Sequence, residues 1–96
     1  MAITEAKQSG NHVSIKRDNN SQSVNGTLIG FTPNVVYYTN GRNLHIFKSD
    51  GRHVGKQISL LNGDEPIMYG QYVGIKRNGR IYLYDENGKA CGTKNA

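Results

Sequence analysis

The chain has no tryptophan, a single cysteine and two prolines in 96 residues, and it has no long apolar run. Each shortage excludes something. A lone Cys91 cannot build an intrachain disulfide framework, so nothing calls for an oxidising compartment. No stretch nears the roughly 20 apolar residues that a membrane helix needs. Residues 1–10 lack the apolar segment of a secretion signal. The expectation is a cytoplasmic chain with no membrane contact. Hydrophobic residues make up 35% of the chain and its mean hydropathy is −0.64. A chain this short and polar builds one domain around a thin core, so a homo-oligomer is expected to supply further burial. Acidic residues are also short, 7 against 12 basic ones, for a formal charge of +5. That balance suits nucleic acid or another anionic partner, and it also serves plain solubility.

What the chain does have is strand and turn signals. Six Tyr, two Phe and regularly spaced Val, Ile and Leu argue against disorder. Val13 and Ile15 alternate with polar residues. Val35-Val36-Tyr37-Tyr38, Leu44 to Phe47, Ile67-Met68-Tyr69 and Tyr72-Val73-Gly74-Ile75 are β-favouring runs. Five Asn-Gly pairs and one Asp-Gly punctuate them, the residue types that type I′ hairpin turns require. Helical spacing is absent. The reading is an all-β chain of antiparallel hairpins, with residues 1–11 as a flexible lead-in and residues 12–96 as one β-repeat domain.

The repeat is visible directly. Residues 44–55 align with residues 81–92 at a constant offset of 37, matching apolar, turn-Gly and basic positions. Upstream the best alignment shifts to 38, with Asn43 as the extra residue, so that Val35 and Tyr37 fall on Val73 and Ile75. A weaker copy at offset 31 places Val13 and Ile15 on Leu44 and Ile46. The chain thus holds about two and a half units of roughly 35 residues, as repeat architectures do. A two-residue turn at Asn78-Gly79 sets Ile75 opposite Tyr82 and Val73 opposite Tyr84. A second turn at Asn87-Gly88 sets Cys91 opposite Tyr84 and Gly92 opposite Leu83. By transfer, Val35, Tyr37, His45, Phe47 and Val54 share one face, and Val36, Tyr38, Leu44, Ile46 and Gly55 the other. Both faces are substantially apolar, which predicts cover on both sides; another subunit is expected on one of them.

The segments IYLYDENGKACG and LHIFKSDGRHVG resemble the inner hairpin of a β-propeller blade, and are similar to short tandem YDENGK-type β-repeat proteins. The resemblance covers residues 27–93. It implies propeller-blade-like units completed by other copies of the chain, because propellers close with 4 to 8 blades. It carries no functional residues. The alternative architecture is a small single-chain β-barrel.

No constellation announces catalysis, and no cofactor is implied. Cys91 takes the place of Val54 in the repeat, as a small core residue. His45 and His53 are expected on opposite sides of a hairpin, without metal-ligand spacing. The carboxylates sit at turns, with Glu86 expected to pair with Lys89. The basic set is the remaining candidate for an anionic or nucleic-acid partner: Lys76, Arg77 and Arg80 around Asn78-Gly79, Arg42 at the matching turn, and Lys16-Arg17 after the first strand. Tyr38 and Tyr72, with Tyr69, lie nearby in sequence as stacking platforms. Lys and Arg also serve as edge-strand gatekeepers. The leading reading is a non-enzymatic, self-associating β-repeat protein with a binding or structural role. The alternatives are a basic module for single-stranded DNA or RNA and a small sugar- or nucleotide-binding protein.

Overall fold

Residues 2–18, 20–53 and 58–95 are described by the computed structural model. They form eleven antiparallel strands in three separate sheets. The first sheet holds β1 (Ile3–Ser9), β2 (His12–Arg17) and β3 (Ser21–Asn25). The second holds β4 (Thr27–Phe31), β5 (Val35–Asn40), β6 (Asn43–Lys48) and β7 (Ile58–Ser59). The third holds β8 (Glu65–Tyr69), β9 (Tyr72–Arg77), β10 (Arg80–Tyr84) and β11 (Ala90–Asn95). Each sheet is an up-and-down meander, and no sheet closes into a barrel. The chain is all-β, built from hairpins.

The sheets stack face to face with the second in the middle. Val36, Tyr38 and Phe47 point from it toward Ile3, Ala6, Val13 and Ile15 of the first sheet. Val35, Tyr37, Leu44 and Ile46 point the other way, toward Val73 and Ile75 of the third. Strand side chains alternate between faces, so a β5 reading Val-Val-Tyr-Tyr supplies two apolar residues to each core. Polar ties lock the layers. Gln8 accepts from Leu28 N (2.6 Å) and donates to Gly26 O (3.0 Å), joining the first sheet to the second. Glu86 accepts from Thr32 (2.6 Å) and Asn34 (3.3 Å), and Tyr37 donates to Gln71 O (3.1 Å), joining the second to the third. The expected Glu86–Lys89 pair is thus replaced by a bond between layers.

Strand registers correct the repeat alignment. Gly74 pairs with Leu83 just as Tyr37 pairs with Ile46, a shift of 37 residues on both strands. The offset therefore stays at 37 upstream, and Asn43 is no insertion. It is the cross-strand partner of Asn40, and the turn residues between them are Gly41 and Arg42. Val36 and Tyr38, rather than Val35 and Tyr37, thus correspond to Val73 and Ile75, and Phe47 shares their face. The offset-31 copy also has a structural counterpart, since Ala6 pairs with Ile15 as Tyr37 pairs with Ile46. The first sheet has no counterpart of β4 and β8, which is the missing part of the third unit.

The lead-in expected over residues 1–11 contains β1 instead. A β-bulge between Ile3 and Glu5 turns both Ile3 and Ala6 inward although they are three residues apart, which erases the period-two signal. Turn chemistry also differs from expectation. Asn78-Gly79 is the two-residue hairpin in which both residues take positive φ (52° and 77°), as a type I′ turn requires. At Gly10-Asn11, Gly41-Arg42 and Gly70-Gln71 the glycine comes first and alone takes positive φ. That arrangement moves the turn one residue beyond Asn40-Gly41. Asn25-Gly26 and Asn62-Gly63 lie between sheets rather than within hairpins.

The predicted pairs Ile75–Tyr82, Val73–Tyr84 and Leu83–Gly92 are present. Cys91 does not face Tyr84. A bulge between Leu83 and Tyr84 gives that place to Ala90, and Cys91 is exposed rather than part of the core. The expectations for Val54 and Gly55 fall outside the described residues.

Candidate functional site

The two ends of the stack differ in chemistry. On the first sheet, Val13 and Ile15 point inward, so the outer face carries Glu5, Lys7, His12, Ser14, Lys16 and Ser23. This is a solvated cap. On the third sheet, Val73 and Ile75 point inward, and the outer face carries Tyr72, Gly74 and Lys76, flanked by Glu65, Ile67, Tyr69, Ile81 and Leu83, with Glu65 directly opposite Lys76. Gly74 leaves room at the centre. A Cβ there would lie 2.6 Å from an Ile81 methyl and 3.4 Å from Ile67 and Leu83, so these three side chains meet above the glycine.

That outer face is partly closed by its own edges. Ile81 and Leu83 are only 7% and 6% exposed, although no other sheet covers them. Lys94 on β11 and Tyr69 on β8 come from the two edge strands, at opposite corners of the sheet. The Lys94 ammonium nevertheless sits 5.9 Å from the Tyr69 ring centroid. The twist of a four-stranded sheet folds it along a diagonal, and here it draws those corners together over the apolar centre. Tyr69 and Tyr72 remain 40% and 43% exposed, directly opposite each other across the β8–β9 hairpin. At the far end of the sheet a cleft of about 430 Å³ is lined by Arg80, Thr93, Lys94 and Asn95.

On that face the structure brings together Tyr72 and Lys76 of the expected set, and adds Tyr69 and Lys94; Arg80 pairs with Arg77 and alternates with Ile81, so it lies on the opposite face of β10. Arg42 is exposed at its turn. Its carbonyl accepts from Leu60 N at 2.7 Å, so that turn and the β7–β8 loop share one end of the stack. Lys16 lies on the opposite outer face, 3.9 Å from Glu5. Three candidates serve the fold instead. Arg17 is buried, donating to Ser49 O (2.6 Å) and Gln22 (3.1 Å) with its guanidinium 5.6 Å from the Phe47 centroid. It pins the first sheet to the second. Tyr38 is buried with its hydroxyl 2.5 Å from His53 Nε2 and its ring stacked on His45.

Arg77 is the third. It holds Asp64 through Nε (2.8 Å) and Nη2 (2.5 Å), while Leu61 N donates to the same carboxylate at 2.7 Å. Bidentate pairs of this kind are the stronger ones. The Arg77 bond, and then the Leu61 amide, hold the Asp64 carboxyl below its ordinary range, although desolvation opposes them. A folded pKa lower than the unfolded one, near ~3.9, means that the unfolded state binds more protons between the two values. The contribution is complete above about pH 4 and is lost as pH falls through the folded pKa. Asp64→Asn is therefore expected to melt below wild type at pH 7, with the gap narrowing as the pH is taken down below about 4 in a series of thermal melts.

His45 and His53, expected on opposite sides, sit with ring centroids 6.0 Å apart, because Phe47 pairs with His53 across a tight turn. Burial, and then His53, push the His45 pKa down. Among the described residues no group of three or more His, Cys, Asp or Glu is placed to hold a metal ion. None of the described residues forms a helix long and apolar enough to cross a membrane. No family model matches the chain, and neither a curated protein nor a solved structure shows significant similarity to it.

Proposed function

We propose that this chain is a non-enzymatic β-repeat protein that binds a polyanion on the outer face of its third sheet. The contrast between the two ends of the stack supports this reading: one end is a polar cap, the other an apolar and aromatic face under Lys94 and Lys76. Terminal repeats with polar outer faces serve solubility; an exposed aromatic face is a different investment, and such patches mark interaction sites. The chain's surplus of basic residues favours an anionic occupant,.

Heparin-affinity chromatography tests the reading with charge held constant. The Lys76→Ala/Lys94→Ala pair is expected to elute at clearly lower salt than wild type. The Lys7→Ala/Lys16→Ala pair, at the other end of the stack, is expected to elute near wild type. Equal shifts for both pairs would mean that net charge alone sets retention, and the face would lose its role.

Self-association through the same face is the second reading, supported by Tyr69 and Tyr72 standing exposed beside Ile67. One observation weighs against it: both faces of the second sheet are covered within the chain, so burial no longer demands another copy. Light-scattering mass at rising concentration decides: a dimer near twice 10.6 kDa that Tyr72→Ala dissociates would favour this second reading.

A further inference from the structure

We infer that the polyanion is single-stranded nucleic acid, with bases stacked on Tyr69 and Tyr72 and phosphates held by Lys76 and Lys94. This rests on the polyanion reading above and narrows it. A polyanion without rings has no use for an aromatic pair, yet the third sheet keeps two tyrosines exposed at directly opposed positions. Cross-strand aromatic pairs can serve hairpin stability alone. The difference here lies in what surrounds them.

The Tyr69 ring faces an ammonium group at 5.9 Å, so a base laid on that ring meets a cation that can also reach its phosphate. Ile67, Ile81 and Leu83 pack over Gly74 beside the rings, with Ile81 and Leu83 themselves buried. Lys76 stands four residues along β9 from Tyr72, about 13 Å at strand rise, while the Lys94 ammonium lies at the Tyr69 ring. A strand of nucleic acid laid along β9 from the tyrosines therefore meets the rings together with one cation, and Lys76 after them. Stacking needs unpaired bases, since a duplex shows its phosphates and groove edges but not its base faces. A strip this short also gives a duplex groove nothing to enclose.

Fluorescence anisotropy with labelled dT12, a 12-base-pair duplex and heparin as competitor tests the inference. Wild type is expected to bind dT12 more tightly than the duplex. Tyr69→Ala and Tyr72→Ala are each expected to weaken dT12 binding about 5- to 150-fold, while heparin retention stays at the wild-type value. Tyr72→Phe is expected to retain binding. Tyr72→Leu, which keeps a bulky strand residue in case alanine unfolds the hairpin, is expected to lose it. Lys76→Ala and Lys94→Ala are each expected to flatten the salt dependence of log K by about 0.7.

Heparin binding at the face, with dT12 binding indifferent to ring removal or weaker than duplex binding, overturns the nucleic-acid inference and leaves the polyanion reading standing. Binding to neither heparin nor dT12 at low salt overturns both.

Discussion

Phe47→Ala is expected to lower stability by about 3–5 kcal/mol, more than any truncation of Tyr69, Tyr72, Lys76 or Lys94. Phe47 is 1% exposed. It belongs to the core between the first and second sheets with Val36, Tyr38 and Ile15. Arg17 lies over its ring, and His53 meets it edge-on with centroids 4.8 Å apart. Removing the ring loses its transfer free energy and leaves a void whose walls come from two sheets held apart by their own ladders. The site can relax little, so the cost falls at the high end of the range. It also strips Arg17 of its aromatic neighbour and loosens the pin to Ser49. For a domain of this size each kcal/mol moves the melting point by about 4–8 °C. The melt is therefore expected about 12 °C or more below wild type, with a matching fall in the urea midpoint. Phe31→Ala is the control: Phe31 is 38% exposed, and its loss is expected to cost under ~1 kcal/mol. Equal effects from the two substitutions would show that the interface between the first two sheets is not the core described above.

Hairpin content was legible because its signals are local. Asn78-Gly79 fixes a register by itself, so the pairs Ile75–Tyr82 and Val73–Tyr84 could be read from two residues. Three kinds of information were not local. The bulge after Ile3 removes the alternation that identifies a strand, and β1 disappeared into an apparent leader. Gly41-Arg42 uses its glycine at the first turn position, so reading the turn as Asn40-Gly41 displaced the register. The repeat alignment also scored apolar against apolar, which favoured offset 38 upstream because it matched Tyr37 with Ile75. The structure matches Tyr37 with Gly74 instead. Large and small residues exchange between the units: the pair Gly30–Tyr37 in the second sheet becomes Ile67–Gly74 in the third. A similarity score penalises that exchange, although each glycine makes room for a neighbour: Met68 of the third sheet fills the space at Gly30, and Ile81 that at Gly74,.

The candidate site shows the same limit. Charge and proximity to a turn are sequence properties; the partner that neutralises a charge is not. Arg17 and Arg77 looked like Lys76 and Arg80 in the sequence, but Ser49 and Asp64 claim them. Lys94 lay beyond the last recognised strand residue, and its position over Tyr69 depends on a diagonal fold of the sheet that no spacing encodes.

Gly74→Val is the second large effect expected, about 3 kcal/mol of destabilisation at the upper end of overpacking costs. Gly74 lies on an inner strand in an ordinary extended conformation, so the argument is steric and not one of backbone strain. A Cβ would sit 2.6 Å from the Ile81 methyl and within 3.4 Å of Ile67 and Leu83. Ile81 is β-branched and stiff at χ1, and its strand is held on both sides by β9 and β11. The side chain cannot swing away without leaving its rotamer. Shrinking a neighbour should restore the space. Gly74→Val/Ile81→Ala is therefore expected to be more stable than the sum of the two single losses, with a coupling of about 0.5–3 kcal/mol by double-mutant cycle in urea. Additivity would mean that the two side chains do not share that space. The same double variant probes the face above it. Its tyrosines and lysines are unchanged, so recovery of dT12 binding along with stability would show that the packed floor over Gly74 sets the geometry in which Tyr69, Tyr72 and Lys94 act.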